Sequence, residues 1–175
     1  MNKIKLYKRI IVIFTFVIFI CGVGCTATHN NIKDNNMIIG KTELEQLSKS
    51  TEFWGEYTTN YASYDLDKKK LNKISKLLKN RKIHIIAVIG TWCGDTREQF
   101  PIFQKILDNL PNSNLSIEYI GVNHDKLAGK TDISGLNISL IPVFIFYDGA
   151  KELGRIVETP EGTMEGDILK IVNHK

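Results

Sequence analysis

One stretch of the chain decides the fold: residues 90–101 read Gly90-Thr91-Trp92-Cys93-Gly94-Asp95-Thr96-Arg97-Glu98-Gln99-Phe100-Pro101. The stretch follows an apolar run and begins a segment whose apolar residues recur at helical spacing. Cys93 therefore stands where a strand ends and a helix begins. A thiol in the first turn of a helix meets unpaired backbone N–H groups and the positive end of the helix dipole, and both favour the thiolate. Cys93 is the candidate nucleophile.

The segments on either side predict alternating strands and helices. Residues 83–89 are nearly continuous and β-branched, which is typical of a central strand covered on both faces. Residues 115–122 predict a second strand, and the helix after Cys93 would join the two as a right-handed βαβ unit. Other predicted elements, in chain order, are a helix from a capping box at 42–45 to about 49, a helix over 65–80, a loop or short helix over 123–137, a strand over 138–147, a tight turn at 148–149, a strand over 151–157 and a helix over 161–173. The aromatic segment 53–64 shows no clear period and is interpreted as a layer that covers the core.

A family resemblance rests on two motifs. Trp92-Cys93-Gly94, with Pro101 eight residues after the cysteine, resembles the active-site segment of thioredoxins. Leu140-Ile141-Pro142-Val143 is similar to the segment that carries the family's cis-proline opposite the active-site cysteine. The resemblance covers residues 65–175 and implies a thioredoxin-like α/β fold with a central mixed β-sheet flanked by helices. It also implies a catalytic role for Cys93 and a substrate-binding surface formed by Trp92, Ile141 and Pro142.

The chain departs from the thioredoxin pattern beside the cysteine. Asp95 stands where thioredoxins carry proline, and Thr96 stands where they carry the second, resolving cysteine. We expect the Thr96 hydroxyl to donate a hydrogen bond to the Cys93 thiolate, which makes Thr96 the second candidate catalytic residue. Arg97 is expected to offset the negative charge of Asp95. Ala87 occupies the position at which the family often keeps a buried acid.

Two hypotheses for the function follow. In the first, Cys93 performs thiol–disulfide exchange as a monothiol, and an outside thiol completes each turnover because a threonine hydroxyl does not attack sulfur. Its substrates would be exported proteins or low-molecular-weight thiols and disulfides. In the second, the domain is a redox-inactive thioredoxin-fold module that binds peptides beside Pro142. A thiol peroxidase is disfavoured because Gly90 stands where peroxiredoxins carry threonine or serine, and neither a cofactor nor a metal ion is expected.

The beginning of the chain predicts export. A basic segment that contains Lys3 and Arg9 precedes an apolar stretch over 10–24, which is shorter than the ~20 residues that a spanning helix needs. Small residues then lead to Cys25, an order that resembles a bacterial lipoprotein signal. We therefore predict a signal peptide over 1–24, a lipid on Cys25, a flexible tether over 25–38 and a thioredoxin-like domain over 39–175. The domain would be held at a membrane of the cell envelope by the lipid.

The charge and the cysteine content limit the classes of partner and the disulfides that we expect. The chain has 23 Lys and Arg against 19 Asp and Glu, and four of the basic residues lie in the predicted signal, so the processed chain carries 19 of each and is formally neutral. Nucleic-acid binding is therefore not expected. Of the three cysteines, Cys21 would be removed and Cys25 acylated, which leaves Cys93 as the only free thiol. The predicted domain is a monomer without an internal disulfide.

Overall fold

A five-stranded mixed sheet, in the order β1-β3-β2-β4-β5, forms the centre of the structure. This computed structural model describes residues 37–111 and 114–173. The strands are β1 (Gly40–Thr42), β2 (Ile83–Ile89), β3 (Leu115–Gly121), β4 (Val143–Asp148) and β5 (Lys151–Val157). Strand β2 lies in the middle, parallel to β3 and antiparallel to β4. The outer pairs, β1 with β3 and β5 with β4, are antiparallel.

Five α-helices of the described residues accompany the sheet. They are α1 (Leu44–Leu47), α2 (Thr51–Ser63), α3 (Lys68–Leu78), α4 (Gly94–Asp108) and α5 (Met164–Asn173). Helix α4 connects β2 to β3, and Pro101 lies inside it. None of the helices within the described ranges is long and apolar enough to cross a membrane.

Successive side chains of β2 point to opposite faces of the sheet, and each face has its own core cluster. Ile85, Ala87 and Ile89 point into the main cluster, which also contains buried side chains of all five helices. Val88 points to the other face of the sheet, where a smaller cluster includes Ile141. The segment between β3 and β4 covers that second face. Residues 87–89 of β2 are buried on both faces of the sheet, and the strand is apolar except for the half-buried His84, as the prediction of a central strand required.

The structure confirms the predicted fold: a thioredoxin-like α/β arrangement with β2 central, β3 parallel to it and a closing antiparallel hairpin of β4 and β5. Helix α3 begins after Asp67, whose side chain accepts hydrogen bonds from the backbone N–H groups of Lys69 and Lys70, both at 3.0 Å.

The predicted signal peptide, Cys25 and most of the predicted tether lie outside the described residues.

Two local predictions are wrong, and a third is incomplete. The aromatic segment packs against the main core cluster as predicted, but it also forms helix α2, because Phe53, Tyr57 and Tyr61 recur every four residues and their rings pack in succession, with centroids 6.0 Å and 5.9 Å apart. No capping box forms, since α1 begins after Glu43 without a side-chain cap. Residues 138–142 are not part of β4. Pro142 has no N–H group to donate to a strand ladder, and pairing with β2 starts at Val143.

Strand β1 was not predicted. It is three residues long and pairs Gly40 with Gly121 across 81 positions of sequence. Gly121 is required at this edge, because a Cβ atom there would lie 2.0 Å from the carbonyl oxygen of Ile38. The edge of the sheet thus depends on a close backbone approach that a sequence pattern does not display.

The central position of β2 yields a stability prediction. Val88→Asp should unfold the domain, because Val88 is fully buried and an unpaired buried charge costs several kcal/mol, comparable to the stability of a whole domain. Val157→Asp is the matched control, since that side chain is 37% exposed at the end of β5. Circular dichroism and urea unfolding measure both variants, and a Val88→Asp chain as stable as its control would contradict the two-sided burial.

Candidate functional site

Cys93 lies at the junction between β2 and α4. It is the N-cap residue of α4, with extended backbone angles, and its backbone N–H donates to the Gly90 carbonyl at 2.9 Å. Its own carbonyl accepts from the Arg97 N–H at 3.1 Å. The thiol is half-buried and free. The sulfur therefore stands at the positive end of a fifteen-residue helix while one side of it remains open to solvent.

The segment that bears Pro142 lies directly opposite the sulfur. The Ile141–Pro142 peptide bond is cis, as the resemblance implied. The Cys93 Sγ donates a long hydrogen bond of 3.6 Å to the Ile141 carbonyl oxygen. The next carbonyl, that of Pro142, accepts from the Glu158 N–H at 2.7 Å. The chain thus brings Cys93, Ile141 and Pro142 together from two distant segments.

Gly90 makes this approach possible. A Cβ atom at position 90 would lie 2.7 Å from the Ile141 Cδ1 atom and 2.9 Å from the Trp92 indole, distances that real Cβ atoms do not show. A larger residue at this position would force the Ile141 side chain or the Trp92 indole to move from its place beside the turn. The need for glycine depends on two side chains that fold back onto the turn, and it was not predicted from the sequence.

Trp92 is fixed above the second core cluster. Its indole N–H donates to the Val122 carbonyl at 2.9 Å, and its ring packs on His124 with centroids 4.0 Å apart. His124 belongs to the loop after β3 and is exposed. The predicted substrate-binding residues Trp92, Ile141 and Pro142 all lie beside Cys93, and His124 adds a side chain that the sequence analysis missed.

Thr96 differs from its predicted arrangement. The side chain is fully buried, and its hydroxyl oxygen accepts a hydrogen bond from the Gly90 N–H at 3.3 Å. The contacts of the described residues include no hydrogen bond between Thr96 and the Cys93 sulfur. The expected hydroxyl–thiolate bond is therefore replaced by one that joins the first turn of α4 to the end of β2.

Arg97 does not offset Asp95 as expected. Its Nη1 atom contacts Glu52 at 2.7 Å and Glu56 at 2.8 Å, both on α2, and its Nε donates to the Thr91 carbonyl at 3.0 Å. Asp95 is exposed in the first turn of α4, where the helix dipole favours a carboxylate. The guanidinium thus joins α2 to the backbone just before Trp92. Glu52 and Glu56 stand four positions apart on one helix face, a signal that was lost when the segment was not recognised as a helix.

Two further positions bear on the chemistry of the site. Ala87 is fully buried in β2, so no acid stands beneath the cysteine at that position. Within residues 37–111 and 114–173, no group of three or more His, Cys, Asp and Glu side chains is arranged to hold a metal ion. The chemistry available here is that of one half-buried thiol next to a backbone carbonyl.

Comparison with known proteins extends the resemblance to most of the chain. The family model described as thioredoxin matches residues 40–169. A thioredoxin H-type of Brassica campestris is 25% identical over 99 residues, which cover 57% of this chain and 76% of that protein. The TPR repeat-containing thioredoxin TDX of Arabidopsis thaliana is 28% identical over 119 residues, or 66% of this chain. The match spans only 28% of that relative's length.

A solved structure shares the fold. A protein of unknown function from Pseudomonas aeruginosa superposes with a TM-score of 0.58, covering 77% of this chain and 92% of its own. The two sequences are 16% identical, so this likeness concerns the fold alone.

The Arg97 contacts yield a prediction for stability. Arg97→Met should lower the free energy of unfolding by about 1–3 kcal/mol, because the charged hydrogen bond to the Thr91 carbonyl is lost from a side chain that is only 17% exposed. Glu52→Gln should cost less than ~1 kcal/mol, since Glu52 is 75% exposed and solvent screens its ion pair.

Urea unfolding of the two variants, with exposed Glu98→Gln as control, measures the difference. Equal losses for Arg97→Met and Glu52→Gln would show that the ion pair, and not the Thr91 carbonyl, is the important contact of the guanidinium.

Proposed function

The chain belongs to the thioredoxin family, and from that membership we propose that it is an exported, lipid-anchored protein that performs thiol–disulfide exchange through Cys93 alone. The observation that carries the proposal is the contact of the Cys93 sulfur with the Ile141 carbonyl, at 3.6 Å, at the N-terminus of α4. A thiol held there has the helix dipole behind it and a backbone surface for a bound chain in front of it.

The first chemical step needs only this thiol. The Cys93 thiolate attacks one sulfur of a substrate disulfide, the substrate S–S bond breaks, and a new S–S bond joins Cys93 to the substrate. The departing sulfur leaves as a thiolate and takes a proton from water. No electron acceptor is required, because one disulfide replaces another.

The second step needs a thiol from outside the domain. A low-molecular-weight thiol of the glutathione type, or a cysteine of another protein, attacks the mixed disulfide and releases Cys93 as a thiolate. Thr96 has no part in this step, because its hydroxyl is buried and its oxygen accepts from the Gly90 N–H. We assign Thr96 a positioning role: it holds the turn that carries Cys93.

Substrate would bind beside Ile141 and Pro142. In the free protein the Ile141 carbonyl accepts from the thiol, and an extended substrate chain would pair with this backbone as it brings its sulfur to Cys93. Leu140 is exposed immediately before this segment, and Trp92 packs on the same core cluster as Ile141, so apolar residues lie beside the cysteine. In the redox-inactive alternative, the domain would bind peptides at this same surface, and the Cys93 sulfur would not react.

Trapping of partners tests the mechanism. Because a monothiol lacks an internal leaving step, the parent chain should retain disulfide-linked partners after rapid acid quenching of cells and non-reducing electrophoresis. Cys93→Ser should retain none. Absence of trapped partners from the parent chain would favour the binding module over the oxidoreductase.

A second arm of the same assay restores the missing thiol. Thr96→Cys places a sulfur at the spacing of a redox dithiol, and the trapped partners should then disappear while reduction of an insulin-like disulfide becomes faster. Thr96→Val is the matched control, since it keeps the buried volume and removes the hydroxyl without adding a thiol. If Thr96→Cys forms an internal disulfide and reduction does not change, the exchange mechanism is wrong.

Export and lipidation form a separate prediction. The basic, apolar and small-residue segments that end at Cys25 should be recognised, so that the mature chain begins at Cys25 and carries lipid. Intact-mass spectrometry of the membrane fraction should show loss of residues 1–24 and an acylated N-terminus. Cys25→Ser should abolish the modification, and an unmodified Cys25 in the parent chain would refute the prediction.

A further inference from the structure

Helix α3 and the turn after it concentrate positive charge. Eight of the 19 basic residues that follow residue 24 lie within residues 68–82, a range that contains no Asp or Glu. The rest of the processed chain then has 11 basic residues against 19 acidic ones. A chain that is formally neutral as a whole is thus divided into a strongly positive segment and a negative remainder.

Six of these basic side chains have no partner within the part of the chain that the structure describes. Lys70 pairs with Asp67, and Arg81 pairs with Asp148. The others are exposed, and among the described residues their ammonium groups have no ion pair or hydrogen bond; we call them the lysine surface, formed by Lys68, Lys69, Lys73, Lys76, Lys79 and Lys82. The two carboxylates that form ion pairs with this segment, Asp67 and Asp148, do so with Lys70 and Arg81.

The geometry of α3 keeps these charges together. Leu71, Ile74 and Leu78 are buried in the main core cluster, which fixes the rotation of the helix and turns its polar side outward. Like charges held this close repel one another, so folding concentrates them at a cost that an anionic partner relieves.

We propose that the lysine surface binds the anionic headgroups of a phospholipid bilayer and orients the domain on the membrane. The inference takes from the proposed function only the lipid at Cys25, which would hold the domain within reach of headgroups. One attachment point and a basic surface together restrain a protein more firmly than either alone. The acidic remainder of the domain is repelled by the same headgroups, so attraction and repulsion favour a single orientation.

The charge distribution favours a bilayer over other anionic partners. A nucleic acid would meet the same lysines and the same acidic remainder, but it would have to associate from solution without an anchor. A bilayer is flat and already close, so its charge acts on the lysines without a large entropy cost of association.

Lysine footprinting on the full chain tests the proposal. The purified protein is reconstituted in vesicles of phosphatidylcholine alone or with added phosphatidylglycerol, pulsed with an acylating reagent and analysed by mass spectrometry. On the anionic vesicles we expect acylation of the lysine surface to slow roughly fivefold, the factor given by about 1 kcal/mol per lysine. The protection should vanish near 1 M salt, where the screening length is ~3 Å.

Matched variants distinguish an effect of the lysine surface from an effect of net charge. Lys73→Gln with Lys76→Gln should expose the four remaining lysines of the surface to acylation. Lys126→Gln with Lys130→Gln, which removes equal charge from the loop after β3, should leave their protection intact. Equal acylation on neutral and anionic vesicles, or equal protection of Lys126 and Lys130, would overturn the proposal, as would protection by an oligonucleotide but not by vesicles.

Failure of the lysine-surface proposal can be distinguished from failure of the proposed function. Flotation of the chain with neutral vesicles reports the anchor, and alkylation of Cys93 reports the thiol. Neither depends on the lysine surface. Protection that requires phosphatidylglycerol reports the lysine surface alone.

Discussion

The close approach at Gly90 is the constraint on which the site depends. Strand β2 must end, turn and start α4 within a few residues, and it must do so against the segment that carries Ile141. A Cβ atom at position 90 would lie 2.7 Å from the Ile141 side chain. With glycine there, the turn closes, the Cys93 N–H reaches the Gly90 carbonyl, and the sulfur comes within 3.6 Å of the Ile141 oxygen. Every chemical property proposed for Cys93 follows from that placement.

The turn is also held from the helix side, by contacts that lie outside the thioredoxin motif. Arg97 joins the Thr91 carbonyl to Glu52 and Glu56, and the Asn60 side chain donates to the Arg97 carbonyl at 3.0 Å. All three partner residues lie on α2, which precedes both short motifs on which the resemblance was first based. Helix α2 is therefore more than a cover for the core, because it stabilises the backbone on both sides of the cysteine.

The sequence predicted those features that depend on local pattern. Strand β2, helix α4 and the place of Cys93 between them follow from neighbouring residues, and the proximity of Pro142 followed from a resemblance between short motifs. Strand β1 and the Arg97 contacts were missed because their partners lie 81 and 41–45 positions away in the chain. The hydrogen bond from Gly90 to Thr96 is a different case, since its partners are six residues apart. There the sequence placed the hydroxyl correctly in the first turn of α4, and only the structure shows which neighbour it bonds.

That bond shows how threonine fits the position at which thioredoxins carry their second cysteine. Position 96 is fully enclosed, so its occupant must be small and must leave no buried polar group unpaired. Threonine is small, and its oxygen pairs the Gly90 N–H through a hydrogen bond that a cysteine sulfur would make less well. The stability of the turn therefore favours threonine at position 96, whereas a redox dithiol would require a cysteine there. A chain whose turn is held by Thr96 keeps the geometry of the first thiol, and in the proposed exchange mechanism the release step would then need a thiol from outside the domain.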